Sequence, residues 1–132
     1  MNGRLPRSSS MSLALAVLLS ASLAGTFAVA AGAFPVATYE NEGYTLVFDA
    51  SGHFRYLKGE RMLLEGDYRA KGDTVSLTDL RGVDACKGQG RETGRYRWTL
   101  DGEYLSFVKI QDSCNERIQG VAGRWKQQAP KK

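Results

Sequence analysis

Gly94-Arg95-Tyr96-Arg97-Trp98-Thr99-Leu100, then Asp101-Gly102, then Glu103-Tyr104-Leu105-Ser106-Phe107, decides the fold class of this chain. Tyr96, Trp98 and Leu100 alternate with Arg95, Arg97 and Thr99. A β-strand turns successive side chains to opposite faces, so one face of this segment is apolar and the other is wet. Asp-Gly between two such runs is a hairpin signal. The partner strand runs from Tyr104 to Gln111. Its alternation slips between Leu105/Phe107 and Val108/Ile110, which predicts a bulge.

The same punctuation extends upstream. Tyr44-Thr45-Leu46-Val47-Phe48 and His53 to Leu57 form a hairpin about Ser51-Gly52, with Tyr44, Leu46 and Phe48 on one face and Phe54 and Tyr56 on the other strand's inner face. Met62 to Ala70 follows Lys58-Gly59, with Leu64, Gly66, Tyr68 and Ala70 on one side. Gly66 inside that strand predicts a bulge or a sharp bend. After Lys71-Gly72-Asp73, Thr74 to Thr78 points Val75 and Leu77 inward. Short strands are also predicted at Val36 to Tyr39 and Val83 to Cys86, a helical turn at Cys114 to Gln119, and a closing strand at Val121 to Lys126 that aims Trp125 inward. Ala31 to Glu40 reads as a loose N-terminal stretch, and Lys87 to Glu92 as a mobile loop. Short sequential connections place neighbours in sequence beside each other in space. The chain is therefore all-β, an up-and-down antiparallel barrel of about eight short strands.

Residues 1–30 read as a secretory signal peptide rather than fold. Arg4 and Arg7 give a positive start, Met11 to Leu19 is apolar but for Ser12, and Ala28-Val29-Ala30 supplies small residues for cleavage. The competing reading is an uncleaved membrane anchor, since the apolar character continues through Ala31-Gly32-Ala33-Phe34 and a bilayer needs ~20 residues. No cysteine near the cut points to a lipid anchor. Residues 31–132 then make one domain. Loss of the leader removes two of the 18 basic residues and no acid, lowering the net charge from +4 to +2. That balance makes no case for nucleic acid. The predicted location is the periplasm or the cell exterior.

Cys86 and Cys114 are the only cysteines. Two cysteines in an exported domain predict one disulfide. It would close a loop across 28 positions, worth about 3–4 kcal/mol by chain entropy.

Candidate chemistry is thin. His53 is the sole histidine, sits outward in its strand and has no visible triad partners. One histidine and two distant cysteines do not match a structural zinc pattern. Asp73, Asp79, Asp84, Asp101 and Asp112 are scattered through turns without calcium-loop spacing. Gly88-Gln89-Gly90-Arg91-Glu92-Thr93-Gly94 is glycine-rich, but a strand follows it where a phosphate loop needs a helix. No cofactor or metal is predicted, and no catalytic residue. Asp112 and Arg117 flank Cys114 closely enough to form a bidentate structural pair. Nine aromatics converge inward as candidate ligand-lining residues: Tyr44, Phe48, Phe54, Tyr56, Tyr68, Tyr96, Trp98, Phe107 and Trp125. A barrel of this size either packs shut or holds one small ligand. Arg95, Arg97, Arg124 and Lys126 would share an outer basic stripe if their strands are near.

Taken together, Gly43-Tyr44-Thr45-Leu46-Val47-Phe48, Glu65-Gly66-Asp67-Tyr68, Gly72-Asp73-Thr74-Val75-Ser76-Leu77, the Tyr96/Trp98 and Leu105/Phe107 strands, Asp112-Ser113-Cys114-Asn115-Glu116-Arg117 and Trp125 resemble lipocalin-like (calycin-type) bacterial barrel domains over about Ala37 to Lys126. Typical lipocalins carry Gly-x-Trp near the first strand, where this chain has Gly43-Tyr44-Thr45, and they are longer. The resemblance implies a small exported barrel that binds a hydrophobic molecule without catalysis. The alternative is a protein-binding module, such as an inhibitor of a secreted hydrolase, working through the Lys87 to Glu92 loop or the arginine stripe.

Overall fold

The structure is a computed structural model that describes Gly3 and residues 32–131. The leader, its cleavage after Ala30 and the anchor alternative lie outside the described residues, Gly3 apart. Among the described residues no helix is long and apolar enough to cross a membrane.

Eight strands form one closed antiparallel barrel in sequence order. They are β1 (Thr38–Asn41), β2 (Tyr44–Phe48), β3 (His53–Lys58), β4 (Arg61–Lys71), β5 (Thr74–Arg81), β6 (Thr93–Asp101), β7 (Tyr104–Gln111) and β8 (Arg124–Gln127), with a short helix α1 (Asn115–Gly120) before the last. Closure comes from β1 against β8, where Tyr39 faces Gln127 and Glu40 faces Lys126. Cys86 and Cys114 form the disulfide, with 6.0 Å between their Cα atoms.

Both predicted bulges are present. The β4–β5 register shifts between Glu65 and Gly66, and the β6–β7 register shifts at Arg95/Tyr96, where Ile110 is the extra residue. Gly66 is required by contact as well as by bend. A Cβ there would overlap the Thr78 carbonyl oxygen and lie 2.7 Å from Phe54 Cε1. Val108 is outward by ordinary alternation, opposite Arg97, and is 62% exposed; the bulge falls two residues beyond it, at Ile110.

Three expectations change. No strand forms at Val83 to Cys86. The Asp84 amide donates to the Leu63 carbonyl at 3.1 Å and the Ala85 amide to Gly82 at 3.2 Å, which makes a turn on Gly82 (φ +128°) rather than a ladder. The closing strand begins at Arg124, not Val121. The Val121 amide still donates to the Arg117 carbonyl as the end of α1, and Gly123 (φ +89°) then redirects the chain. The stretch before β1 is not loose. Phe34 packs at ring-centroid distances of 4.9 Å from Phe48, 5.1 Å from Tyr68 and 5.5 Å from Trp98. Tyr39 Oη holds the same segment by donating to the Pro35 carbonyl at 2.7 Å.

The two ends of the barrel differ. One end carries the turns after β2, β4 and β6 and is stopped by Phe34. The other carries the turns after β1 and β3, and also the two long connections, 82–92 and 112–123, which the disulfide joins. Loops on a rigid scaffold are where binding residues concentrate, so this second end is the functional candidate.

Candidate functional site

At the loop-rich end, Arg117 enters the barrel from α1 and is only 2% exposed. The predicted pair with Asp112 is present and bidentate: Nε donates to Asp112 Oδ2 at 2.7 Å and Nη2 to Asp112 Oδ1 at 2.6 Å. Arg117 also does more than the sequence showed. Nη1 reaches Asp79 Oδ2 at 2.9 Å and the Glu92 carbonyl at 3.0 Å, while Nη2 reaches the Arg91 carbonyl at 2.9 Å. These contacts occupy the five donors a guanidinium has.

Each carboxylate in turn holds one half of the disulfide. The Cys86 amide donates to Asp79 Oδ2 at 2.8 Å, and the Cys114 amide to Asp112 Oδ1 at 2.9 Å. Tyr96 Oη donates to Asp112 Oδ2. Gly94 leaves the room: a Cβ there would lie 2.8 Å from Arg117 Nε and overlap the Asp112 carboxylate. The loop predicted to be mobile is thus tied at Arg91 and Glu92, and the cluster joins β5, β6, both long connections and α1.

Two carboxylates face one guanidinium in a dry site, and they titrate in opposite directions. Burial pushes the Asp79 carboxyl up, and its Oδ1 has no hydrogen-bond partner among the described residues. Burial acts on Asp112 too, but hydrogen bonds from Arg117, Tyr96 and the Cys114 amide outweigh it and hold its carboxyl below the ordinary range. For Arg117, burial favours loss of the proton, and the bonds to Asp112 and Asp79 more than reverse it. Asp79 Oδ and the two sulfurs come within 4.8 Å of one another. The sulfurs are bonded to each other and the guanidinium already fills the carboxylate's charge requirement, so the cluster is structural.

The nine candidate aromatics separate into three groups. Phe48, Phe54, Tyr96, Trp98 and Trp125 are buried in the core with Tyr39, Leu46, Val75, Leu77 and Leu105. Tyr68 and Phe107 are half-buried, Tyr68 facing the Phe34 plug and Phe107 packing on Phe48 and Tyr96. Polar tips in this interior are met by backbone: Trp98 Nε1 donates to Gly72, Tyr68 Oη to Asp49 and Trp125 Nε1 to Val121. Among the described residues, a space inside the barrel beneath α1 measures about 20 Å³. A single water needs ~10–15 Å³ by the same kind of measure. Side chains therefore fill the barrel.

Tyr44 and Tyr56 are the exception. Their rings stack at 5.3 Å with 3° between planes, and Tyr56 meets Trp125 edge-on at 6.2 Å. Both line a cleft of about 660 Å³ at the loop-rich end, with Leu63, Trp125 and α1 residue Gly120 forming its walls and Glu42, Asp84, Glu116 and Arg124 its charged rim. The small internal space lies directly below, sharing Tyr56, Asp84, Glu116 and Gly120 with the cleft. Burial first, then the neighbouring Tyr44 and Asp84, raise the Tyr56 phenol to about 12. No hydrogen bond links Tyr44 Oη, Tyr56 Oη or the Asp84 carboxylate to the described residues. A second, larger and somewhat less open groove of about 980 Å³ lies outside the barrel, between β1–β3 and residues 127–131.

Burial also raises Tyr39 to about 12, and it raises Tyr68 and Tyr96. The native state then keeps protons that the unfolded chain releases above pH 10. Stability must fall as pH rises through that window, by about 1.4 kcal/mol per pH unit for a fully buried tyrosine such as Tyr39. A lower urea midpoint at pH 11 than at pH 9 is expected, and Tyr39→Phe should lessen the difference. Equal midpoints would contradict the burial of these phenols.

The remaining predicted features are on the surface. His53 is outward and pairs with Asp67. Arg95, Arg97, Arg124 and Lys126 do share the outer face of β6–β8. They are broken up as a stripe, however, because Asp73 pairs with Arg97 at 3.1 Å, Glu103 with Lys126 at 3.5 Å, and Arg124 lies 4.1 Å over the Tyr104 ring. No protein-family model, curated protein or solved structure matches this chain; what is established is a closed eight-stranded antiparallel barrel with one disulfide.

Proposed function

We propose that this is a noncatalytic exported binding protein of lipocalin-like type, which holds a small, partly apolar ligand at the loop-rich mouth of the barrel rather than in its centre. The observation that carries this reading is the Tyr44–Tyr56 stack opening on a cleft of about 660 Å³. That volume falls within the usual range for small-molecule sites, which combine apolar walls with a few unpaired polar groups. Three of the nine predicted ligand-lining aromatics, Tyr44, Tyr56 and Trp125, border the cleft, and the packed interior leaves a ligand no other room in the barrel. The disulfide suits an oxidising compartment, in keeping with export. The neutral fluorophore N-phenyl-1-naphthylamine tests the apolar part of the site without invoking charge. Saturable one-to-one fluorescence enhancement that weakens about tenfold in Tyr56→Ala is expected, since a lost aromatic face is worth on the order of 1 kcal/mol or more. Binding unaffected by Tyr56→Ala, or none, would overturn the reading.

A second reading, an inhibitor-like protein-binding module, draws on one observation. Val83 is 67% exposed at the start of the 82–92 connection, which Asp79, Arg117 and the disulfide brace from beneath. A preorganised loop loses little entropy on docking. Val83→Asp should abolish capture of a partner under this reading and leave fluorophore binding intact under the first.

A further inference from the structure

We propose that the cleft selects an organic ammonium: a positively charged amine head seated between Asp84 and Glu116, carried on an apolar body that lies along Tyr44 and Tyr56. This rests on the cleft being the binding site.

Charge is the first argument. The rim holds three carboxylates, Glu42, Asp84 and Glu116, against one guanidinium, Arg124. Arg124 is engaged elsewhere, stacked on the Tyr104 ring at 4.1 Å. Of the acids, Asp84 has no ion-pair or hydrogen-bond partner for its carboxylate among the described residues and is half-buried. Glu116 has only a long pair to Arg91, at 3.7 Å, and abuts sulfur, with Oε2 3.4 Å from Cys86 Sγ and 3.7 Å from Cys114 Sγ. Disulfide sulfurs carry no proton to donate, and the Glu116 side chain is 54% exposed, so its carboxylate is reachable from the cleft. A cation arriving between the two acids meets Asp84, which has no partner among the described residues, and Glu116, whose pair with Arg91 is long and exposed.

The aromatic pair is the second argument and is independent of the acids. Ring faces attract cations, and this chain already shows it: Lys58 Nζ lies 5.2 Å from the Tyr44 centroid. The Tyr56 hydroxyl, with no hydrogen-bond partner among the described residues, can accept from an N–H. Beneath Tyr56, Leu46, Phe54, Leu64 and Val121 wall a space of about 20 Å³ that Asp84, Glu116 and Arg117 also border. That space admits a methyl or methylene but not a hydrated anion.

The test uses three probes of one shape and different charge: 2-phenylethylammonium, 2-phenylethanol and phenylacetate, titrated into the purified protein and followed by amide chemical shifts. The ammonium should bind about tenfold more tightly than the alcohol, with shifts centred on Asp84, Glu116 and Gly120. Its affinity should drop about tenfold in Asp84→Asn, an isosteric exchange of a side chain that makes no hydrogen bond to the described residues, and should fall with added salt. Equal binding of ammonium and alcohol at the cleft would overturn the cation preference and leave the binding site standing. Preference for phenylacetate would overturn it as well. No shift at the cleft from any probe would overturn both the preference and the site it rests on.

Discussion

Exchanging Arg117 for methionine is expected to cost about 3–5 kcal/mol, the usual consequence of leaving a buried charge without its partner. Here two carboxylates are left, Asp79 and Asp112, each tied to a half-cystine amide. A domain's whole stability is on the order of 5–15 kcal/mol, so the variant should sit close to its unfolding threshold. The pH dependence separates this cause from a loss of packing. Without the guanidinium, burial keeps the Asp79 carboxyl raised above its unfolded value, with only the Cys86 amide left to oppose it. A raised acid contributes stability below the unfolded value and loses it as pH rises through the folded one. Urea denaturation of Arg117→Met should therefore give a higher stability at pH 5 than at pH 7. A variant destabilised by less than about 1 kcal/mol, or equally at both pH values, would show that the cluster does not carry the charge burden assigned to it.

The second large effect is loss of the disulfide. Cys86→Ala/Cys114→Ala is expected to lower stability by about 3–4 kcal/mol, from the entropy the unfolded chain regains when a loop of this length is released. The bond joins the two connections that build the functional end, 82–92 and 112–123. It should therefore couple to Arg117, which holds the same connections through Asp79, Asp112 and the Arg91 and Glu92 carbonyls. A double-mutant cycle should show coupling of about 0.5–3 kcal/mol. Strict additivity between the two would mean that the bridge and the ion cluster brace the loops independently.

The sequence made the barrel legible because its strands face water on one side only. Alternation in Tyr44–Phe48, Thr74–Thr78 and Gly94–Trp98 maps directly onto an inner and an outer face, whereas Leu100, at the strand end, is 41% exposed. Gly66 and the slip after Phe107 were readable for the same reason, since each interrupts a period of two. Val83 to Cys86 misled because Val83 and Ala85 alternate without a neighbouring strand to receive them; Gly82 and Asp84 turn that segment instead.

The site was less legible. Asp112 and Arg117 are five positions apart and invited pairing, whereas Asp79 reads as one turn acid among several. A signal was present: Asp79 continues the inward series Val75, Leu77, so the alternation itself aims an acid at the core. A buried acid requires a cation or a proton, and Arg117 supplies the former. Phe34 gave no signal because a plug is a single residue with no period. The cleft escaped for a similar reason. Tyr44 and Tyr56 share the inward phase of Phe48 and Phe54, and only their place at the strand ends, next to α1, leaves them open to solvent.

The most direct measurement of the central claim is native mass spectrometry of the protein purified from the cells that make it. The account predicts a one-to-one adduct of small mass that leaves on denaturation, on a chain lighter by two hydrogens for the disulfide. A stoichiometric protein adduct with no small molecule bound would contradict it, and would move the function from the Tyr44–Tyr56 cleft to the Val83 loop.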